Sequence, residues 1–529
     1  MKKILSFFII ILTTFLLVGC AFFSSSTTTS SSASTTTTTT TSTVFSSTDT
    51  SILGTETIDL YSINDYHGGA YSDLSDFYEM SEFLYNQKAT NEAVIMATGD
   101  MFQGTALSNY YYGLPFVKAF NYIGLDAFTI GNHEFDWGID IIKNYADSDL
   151  ENGEADYPFL AANIVYKDTQ EMLPWTTPYK VVTVKGVKVG IIGIIGDVIG
   201  SISASKVSNI EFLDQADTVY QYAEILRTTE DCDIVVASIH DYNSSMNEEI
   251  AGFTGVHLVD AIFNGHTHTD VASFISRTGV RMPYAQVSSK YFSLIAKISL
   301  VYDFQSESVI SAESYIIGTS VLGDENAYVN QLINVFADDE DYVDYVTEVL
   351  AIADDSIDTE SKNDLANWAA TVIKDYLELD FGVLNYSGVR KQIYPGEITM
   401  GDLVEVMPFD NYIKTVYLTG ETILDLMNDD YLAFNYHPDT FLVASQLYKV
   451  GVVDFVFDMV DDYGNPSFDF AYGENIVTTT VLIRNLLAED LRNTTGDFDP
   501  INGTSYDTLN PVTFSFRSSF YLDILKSIL

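Results

Sequence analysis

Five apolar runs between residues 57 and 268 stop abruptly at Asp, His or Asn, and that repeated ending constrains the fold more than any other feature. Thr57–Ile63 alternates like a strand and runs into Asn64-Asp65-Tyr66-His67-Gly68-Gly69. Ala93–Thr98 reads as a buried strand ending in Gly99-Asp100-Met101-Phe102-Gln103-Gly104-Thr105. Ala127–Ile130 leads into Gly131-Asn132-His133-Glu134-Phe135-Asp136, Asp233–Ile239 into His240-Asp241, and Ala261–Phe263 into Asn264-Gly265-His266-Thr267-His268. A core strand does not tolerate such groups, whereas catalytic groups belong on loops carried by rigid strands. Helical patterns over Asp73–Gln87 and Pro115–Tyr122 alternate with the strands, which makes the region α/β. In that class, polar groups at successive strand ends converge on one edge of the sheet. Glycine beside each of these groups lets the backbone turn sharply there.

Of the seven histidines, five (His67, His133, His240, His266 and His268) occupy these endings, which scattered surface histidines would not do. His257 and His437 lie outside the pattern and read as structural or exposed. Asp65, His67, Asp100, Asn132, His240, His266 and His268 together offer N and O donors without sulfur. That set suits Zn, Mn, Fe or a similar divalent ion, not an Fe–S or Cu(I) site. It is too large for one tetrahedral ion with an open position, and two ions about 3.5–4 Å apart sharing a carboxylate would use it all. Such a pair polarises phosphoryl groups and activates water, the chemistry of phosphoester hydrolysis. Taken singly, a strand-end Asp or His is a cap or a satisfied polar group, so the ordered set carries the reading. His133 is left over, with Asp136 three residues on. A carboxylate that orients an imidazolium would let His133 act as general acid or electrostatic partner. The competing role for Asp136 is to cap a helix that starts near Trp137.

The length, 529 residues, calls for two folded domains. Lys2 and Lys3 precede an apolar run, Ile4 to Val18, that is short for a membrane span and suits a signal segment. Leu17-Val18-Gly19-Cys20 resembles the bacterial lipoprotein cleavage motif, which implies lipidation of Cys20 and a place on the outer face of the cell membrane. Ser24–Ser51 is almost wholly serine and threonine, a composition for a disordered tether. The remaining cysteine, Cys232, has no partner and reads as a small buried strand residue. A net charge of −49 argues against binding a nucleic-acid polymer or an anionic membrane surface. Screening and bound metal leave room for a small anionic substrate.

Asn64–Gly68, Gly99–Thr105, Gly131–Asp136, His240 and Gly265–His268, in that order, resemble the calcineurin-like metallophosphoesterases, and more narrowly the 5′-nucleotidase family. The resemblance implies a four-layer α/β/β/α metal domain, a helical linker and a C-terminal α/β nucleotide-recognition domain. It also implies Asp65, His67, Asp100 and His268 around one divalent ion and Asp100, Asn132, His240 and His266 around the other, with Asp100 bridging. His133 with Asp136 would be the catalytic pair. Gly382–Arg390 and Gly396–Asn411 resemble the C-terminal domain, which implies Asn385 and Arg390 as substrate contacts and Phe409 as one base-stacking ring. Tyr448–Phe455 aligns with the segment carrying the second ring, Phe455, and Asp461 stands where a substrate aspartate is expected. Met459-Val460-Asp461-Asp462 replaces the Gly-Gly-Asp-Gly run of the family, and Thr359–Asn367 offers only Lys362 where relatives often carry an arginine.

The expected organisation is a signal peptide (1–20), a tether (21–51), the metal domain (52–316), an acidic helical linker (317–345) and the substrate domain (346–529). Within the second half, Val329–Ala337 and Tyr342–Ile352 read as helices. The expected function is an extracellular two-metal hydrolase of nucleoside 5′-monophosphates serving salvage. A UDP-sugar or dinucleotide hydrolase, or a 2′,3′-cyclic nucleotide phosphodiesterase, would use the same metals. A catalytically inert surface-binding lipoprotein is the alternative of another class. Oligomeric state is not readable from the sequence.

Overall fold

The computed structural model describes residues 54–69, 74–147, 153–289, 293–359, 364–435, 442–461 and 464–500. The leader with Cys20, the Ser/Thr tether, Lys362, His437 and Asp462 lie outside the described residues.

Two six-stranded sheets form the first half. One runs Ser308–Gly318, Ser293–Asp303, Thr55–Ile63, Val94–Thr98, Ala127–Thr129, Phe159–Leu160 in spatial order. The other runs Val271–Ile275, Met282–Gln286, Ala261–Asn264, Ile234–His240, Val187–Ile195, Tyr179–Val184. Thr55–Ile63, Val94–Thr98 and Ala127–Thr129 are mutually parallel neighbours, as are Val187–Ile195, Ile234–His240 and Ala261–Asn264. Parallel pairing puts their C-terminal ends, and the polar groups that follow, on the same edge.

The two sheets face each other. Ile58, Leu60, Val94 and Met96 of the first pack with Val189, Ile191, Val236 and Phe263 of the second. The alternate residues Tyr61, Ile63 and Ile95 point the other way, against the helices Leu74–Asn91 and Leu114–Ile123. Helix Gln215–Thr228 covers the outer face of the second sheet. The order of layers is therefore helix, sheet, sheet, helix. With both faces of each sheet covered, the central strands are mostly apolar and fully buried. At the end nearest the polar edge the contact between sheets changes character. Ser62 and Thr98 hydroxyls lie 2.8 Å apart, and Ser238 bonds Thr98 at 2.9 Å and Thr129 at 2.7 Å. Small hydroxyls, each satisfied by the next, join the two sheets directly beneath the ligand-bearing loops.

After Ser308–Gly318 come two helices, Ala327–Ala337 and Glu340–Val346. The second is shorter than the expected helix over Tyr342–Ile352. Val349–Ala353 is a strand, paired antiparallel with Gly396–Thr399. Its inward residues, Leu350 and Ala353, are three apart as in a helix, a register shift between Val349 and Ala351 breaks the alternation, and its partner lies too far along the chain for a local pattern to reveal. The second lobe centres on a five-stranded mixed sheet ordered Leu432–Phe434, Phe381–Asn385, Leu447–Val453, Tyr412–Thr419, Glu474–Leu482. Helices Asp364–Tyr376 and Ile483–Asn493 pack on it and are joined by the buried bond from Trp368 Nε1 to Asp490 Oδ2 at 2.8 Å. Cys232 is buried and free, but it sits in the turn before Ile234–His240, not within the strand. Among the described residues no helix is long and apolar enough to cross a membrane.

Candidate active site

The polar strand ends meet across two packed sheets, not along the edge of one: Asp65, Asp100 and Asn132 follow strands of the first sheet, and His240, His266 and His268 come from strand ends of the second. Asp65, His67 and His268 place ligand atoms within 4.8 Å of one another, and so do Asp100, His240 and His266. Asn132 joins the second group, with its Oδ1 2.8 Å from His266 Nδ1 and 3.1 Å from His240 Nε2. The backbone is bent hard to achieve this. Asp65, His67, Asp100, His266 and His268 all have positive φ, between 49° and 72°. The ligand residues themselves make the turns, not only the glycines beside them. Left-handed φ is uncommon outside glycine, and clusters of it mark functional sites. Gly99 and Gly131 serve a different need, close approach: a Cβ on Gly99 would collide with the His240 ring, and one on Gly131 with the Asp100 carboxylate.

Second contacts fix the rings. His67 Nδ1 lies 2.9 Å from the Gln103 carbonyl and His240 Nδ1 2.8 Å from that of Thr98. A carbonyl only accepts, so both Nδ1 atoms carry hydrogen and each neutral ring turns a bare Nε2 inward. His67 Nε2 then faces His268 Nε2 at 3.3 Å. His240 Nε2 faces Asn132 Oδ1 and Asp100 Oδ2, each at 3.1 Å. Lone pairs converging on lone pairs need a positive charge among them. Without a metal it is a proton: burial disfavours it, but the carboxylates of Asp100 and Asp65 push His240 up to about 10. A divalent ion supplies the same charge in place of the proton. The amide nitrogen of Asn132 is buried and unbonded, with its oxygen committed to the centre. Burial, and then the charge on His240, hold His266 down to about 4, the neutral form a metal ligand requires. The residues present fit divalent metal.

His133 stands beside this centre, offering a ring nitrogen within 4.8 Å of donor atoms of His67 and Asp100. Its backbone N–H donates to Asp100 Oδ1 at 2.8 Å, and its Nε2 lies 4.0 Å from Asp100 Oδ2. Its Nδ1 bonds Asp136 Oδ2 at 2.7 Å. Burial opposes a charge on this ring, yet Asp136 and Asp100 push it up to about 9. The helix that follows begins at Ile139 behind Gly138 and uses no side-chain cap, so Asp136 orients the imidazole and does not cap. Glu134 serves as scaffolding. Its carboxylate accepts from the N–H groups of Asp100, Met101 and Gly131 at 2.9, 3.0 and 2.8 Å, tying two ligand loops together.

A cleft of about 290 Å³ opens over the centre. Asp100, Asn132, His133, Asp136, His266 and His268 form one wall, and Asn385, Arg390, Phe409 and Phe455 of the second lobe form part of the other. Phe409 stacks on His133, with ring centres 5.7 Å apart and planes at 19°, and the Arg390 guanidinium lies 5.7 Å from the Phe409 ring centre. The Arg390 charge acts on His67, His133 and His268. Asp461 is not on the cleft wall. Its carboxylate accepts from the backbone N–H of Asn465 at 2.8 Å and holds a local turn. A lone aspartate beside a turn satisfies the nearest N–H groups first. His257 stacks on Tyr220 and joins none of the candidate ligand groups.

Three wall residues have no sequence signal. Tyr431 lies within 3.4 Å of Asn385 Nδ2, and Ser387 bonds both. Lys206 is carried by a loop whose Val198, Ile202 and Val207 are buried in the core, and with Arg390 it brings positive charge to the cleft. In a chain this acidic, a single lysine in a loop carries no pattern to read.

Residues 59–270 match the family model for calcineurin-like phosphoesterase, and residues 345–479 that for the 5′-nucleotidase C-terminal domain. The chain is 25% identical over 369 residues to the endonuclease YhcR of Bacillus subtilis, covering 65% of this chain but only 29% of that protein. It is 25% identical over 427 residues to a 5′-nucleotidase of Vibrio parahaemolyticus, covering 69% of this chain and 73% of that one. The crystal structure of a 5′-nucleotidase precursor from Thermus thermophilus superposes with a TM-score of 0.65 at 19% identity, over 83% of this chain and 96% of the other. At that identity the superposition speaks for the fold.

Proposed function

We propose that this chain, which belongs to the 5′-nucleotidase family of calcineurin-like metallophosphoesterases, releases phosphate from nucleoside 5′-monophosphates using two divalent ions, Zn, Mn or similar. The observation that carries this reading is the junction in one cleft of two ligand groups, the His133–Asp136 pair, and the Arg390, Asn385, Phe409 and Phe455 wall. Asp65, His67, His268 and Asp100 would hold one ion, and Asp100, Asn132, His240 and His266 the other. Bound there, the ions would polarise the phosphoryl group and make water acidic enough to deprotonate near neutral pH.

The chain's own groups do the rest. Arg390 offers its planar fork to phosphoryl oxygens. His133, held at Nδ1 by Asp136, presents the proton on Nε2 to the phosphoryl or leaving oxygen. Phe409 and Phe455 flank the base, a base-tolerant grip, and Asn385 meets the substrate beside Tyr431. Phe409 on His133 brings the recognition lobe onto the catalytic imidazole, so the nucleoside stays attached to the reacting end.

The purified chain is expected to release phosphate from AMP with Mn or Zn and to stop in EDTA. His133→Ala should lower kcat by about 10²–10⁴-fold with its metal content intact. A metal-loaded wild type that releases phosphate from no nucleotide would refute the reading. The proposed place of work is the outer face of the cell membrane, held by a lipid on Cys20, with nucleoside and phosphate salvage as its use; Lys2, Lys3 and the apolar run before Cys20 support it.

A further inference from the structure

Phe409 reaches the cleft from a short loop, and the group that holds this loop lies beyond the stretch matching the nucleotidase C-terminal domain. Arg484 opens the helix Ile483–Asn493. Its Nε donates to the Met407 carbonyl at 2.9 Å, its Nη2 to the Pro408 carbonyl at 2.7 Å, and its Nη1 pairs with Asp410 Oδ1 at 2.8 Å. One guanidinium thus grips the loop on both sides of Phe409. The Pro408 carbonyl also accepts from Asn109 Nδ2 of the first lobe, at 3.1 Å. Asn109 Oδ1 in turn accepts from Gly104 N–H at 2.9 Å, next to Gln103, whose carbonyl orients His67. A run of hydrogen bonds therefore leads from a metal-centre histidine to the loop that carries the ring.

We propose that Arg484 is a positioning residue for the substrate: it fixes the Met407–Asp410 loop so that Phe409 stands beside His133, ready to stack a base. This deepens the nucleotide reading above and depends on it for the identity of the stacked group. Only a planar fork with several donors can serve two carbonyls and a carboxylate at once, and lysine, a point charge, cannot. Phe409 is half-buried, so contacts around its ring do not hold the loop by themselves. With the fork removed, a bound base would have to order the loop itself and lose affinity in doing so.

The test compares AMP with ribose 5-phosphate, which has no base, on the full chain carrying Arg484→Met. KM for AMP is expected to rise about tenfold, the scale of one stacking contact. Activity on ribose 5-phosphate is expected to stay as in wild type. Arg484→Lys should show most of the same loss, and adding Phe409→Ala to Arg484→Met should cost no more than Phe409→Ala alone. Equal losses on both esters, or losses that multiply in the double variant, would overturn the assignment. If wild type cleaves neither ester, the phosphohydrolase reading falls instead. Calorimetric binding of adenosine against ribose then decides the role of Arg484 by the same pattern.

Discussion

Replacing Gly131 by alanine should disable the enzyme without unfolding it, and the structure sets the size of the effect. A Cβ built on Gly131 meets the Asp100 backbone nitrogen at 2.7 Å and His240 Nε2 at 2.9 Å, and collides with the Asp100 carboxylate. The nearest backbone atom is 0.7 Å short of the 3.4 Å at which ordinary contact begins. That atom cannot step aside like the end of a long side chain, because the Asp100 N–H is pinned by Glu134, which also pins Gly131. The clash therefore passes into the position of Asp100, whose carboxylate the resemblance places between the two ions. Site geometry must hold to about 0.5 Å, and a misplacement of about 1 Å costs on the order of 10²-fold. Overpacking of this kind costs about 1–3 kcal/mol in stability, a shift a chain of this size survives. Gly131→Ala should thus fold, lose about 10²-fold in kcat on AMP, and bind metal more weakly. Gly323→Ala is the control, since a Cβ there meets nothing within 4 Å. Plasma-source mass spectrometry of bound metal, steady-state phosphate release and thermal unfolding would be measured on all three proteins. Wild-type kcat and metal content in Gly131→Ala would show that the loop yields and that the close approach is unimportant.

Two further outcomes are expected. Asp454, only 3% exposed, is pushed up to about 6, chiefly by burial, while the Phe455 N–H and Lys206 pull it down. Its folded pKa lies above its unfolded one, so its contribution to stability is complete below the unfolded value and is lost as pH rises through about 6. Asp454→Asn should therefore gain up to about 3 kcal/mol on wild type between pH 4 and pH 7.5, read from denaturant midpoints, and a constant difference would sink the argument. For the anchor, Cys20→Ser should move the protein from the membrane fraction to the medium, and equal retention of both forms would dismiss lipidation.

The candidate metal centre was legible because Asp, His and Asn recur as an ordered set at the ends of five apolar strands. Parallel pairing within each sheet and the packing of one sheet on the other then do the assembly that sequence cannot display, so Asp65 and His268, 203 residues apart, end 3.5 Å from each other. The four-layer order was implied by the resemblance to the metallophosphoesterases, and the fully buried central strands agree with it. What escaped was residues that act through backbone groups or across the lobes. Glu134 stood in plain view inside the His133 cluster, yet its work is to accept three N–H groups, a role no residue type announces. Arg484, Tyr431 and Lys206 are single side chains in unremarkable settings, made relevant by a fold that brings distant loops together. Asp461 shows the opposite: its position matched, yet it lies off the cleft wall and accepts from the Asn465 N–H of a nearby turn. The strand Val349–Ala353 was mistaken for helix because its partner lies across the lobe.

The left-handed conformation shared by Asp65, His67, Asp100, His266 and His268 bears on how such a protein can change over generations. Each of these residues sits where glycine would be more comfortable by about 1 kcal/mol or more. Glycine at these positions would relieve that strain but remove a candidate metal ligand, and at Asp65 and Asp100 it would also take away the carboxylates that accept from the His266 and His133 N–H groups. Relief of strain and catalysis therefore pull in opposite directions here, and improvements in heat tolerance that preserve the enzyme must come from elsewhere in the chain.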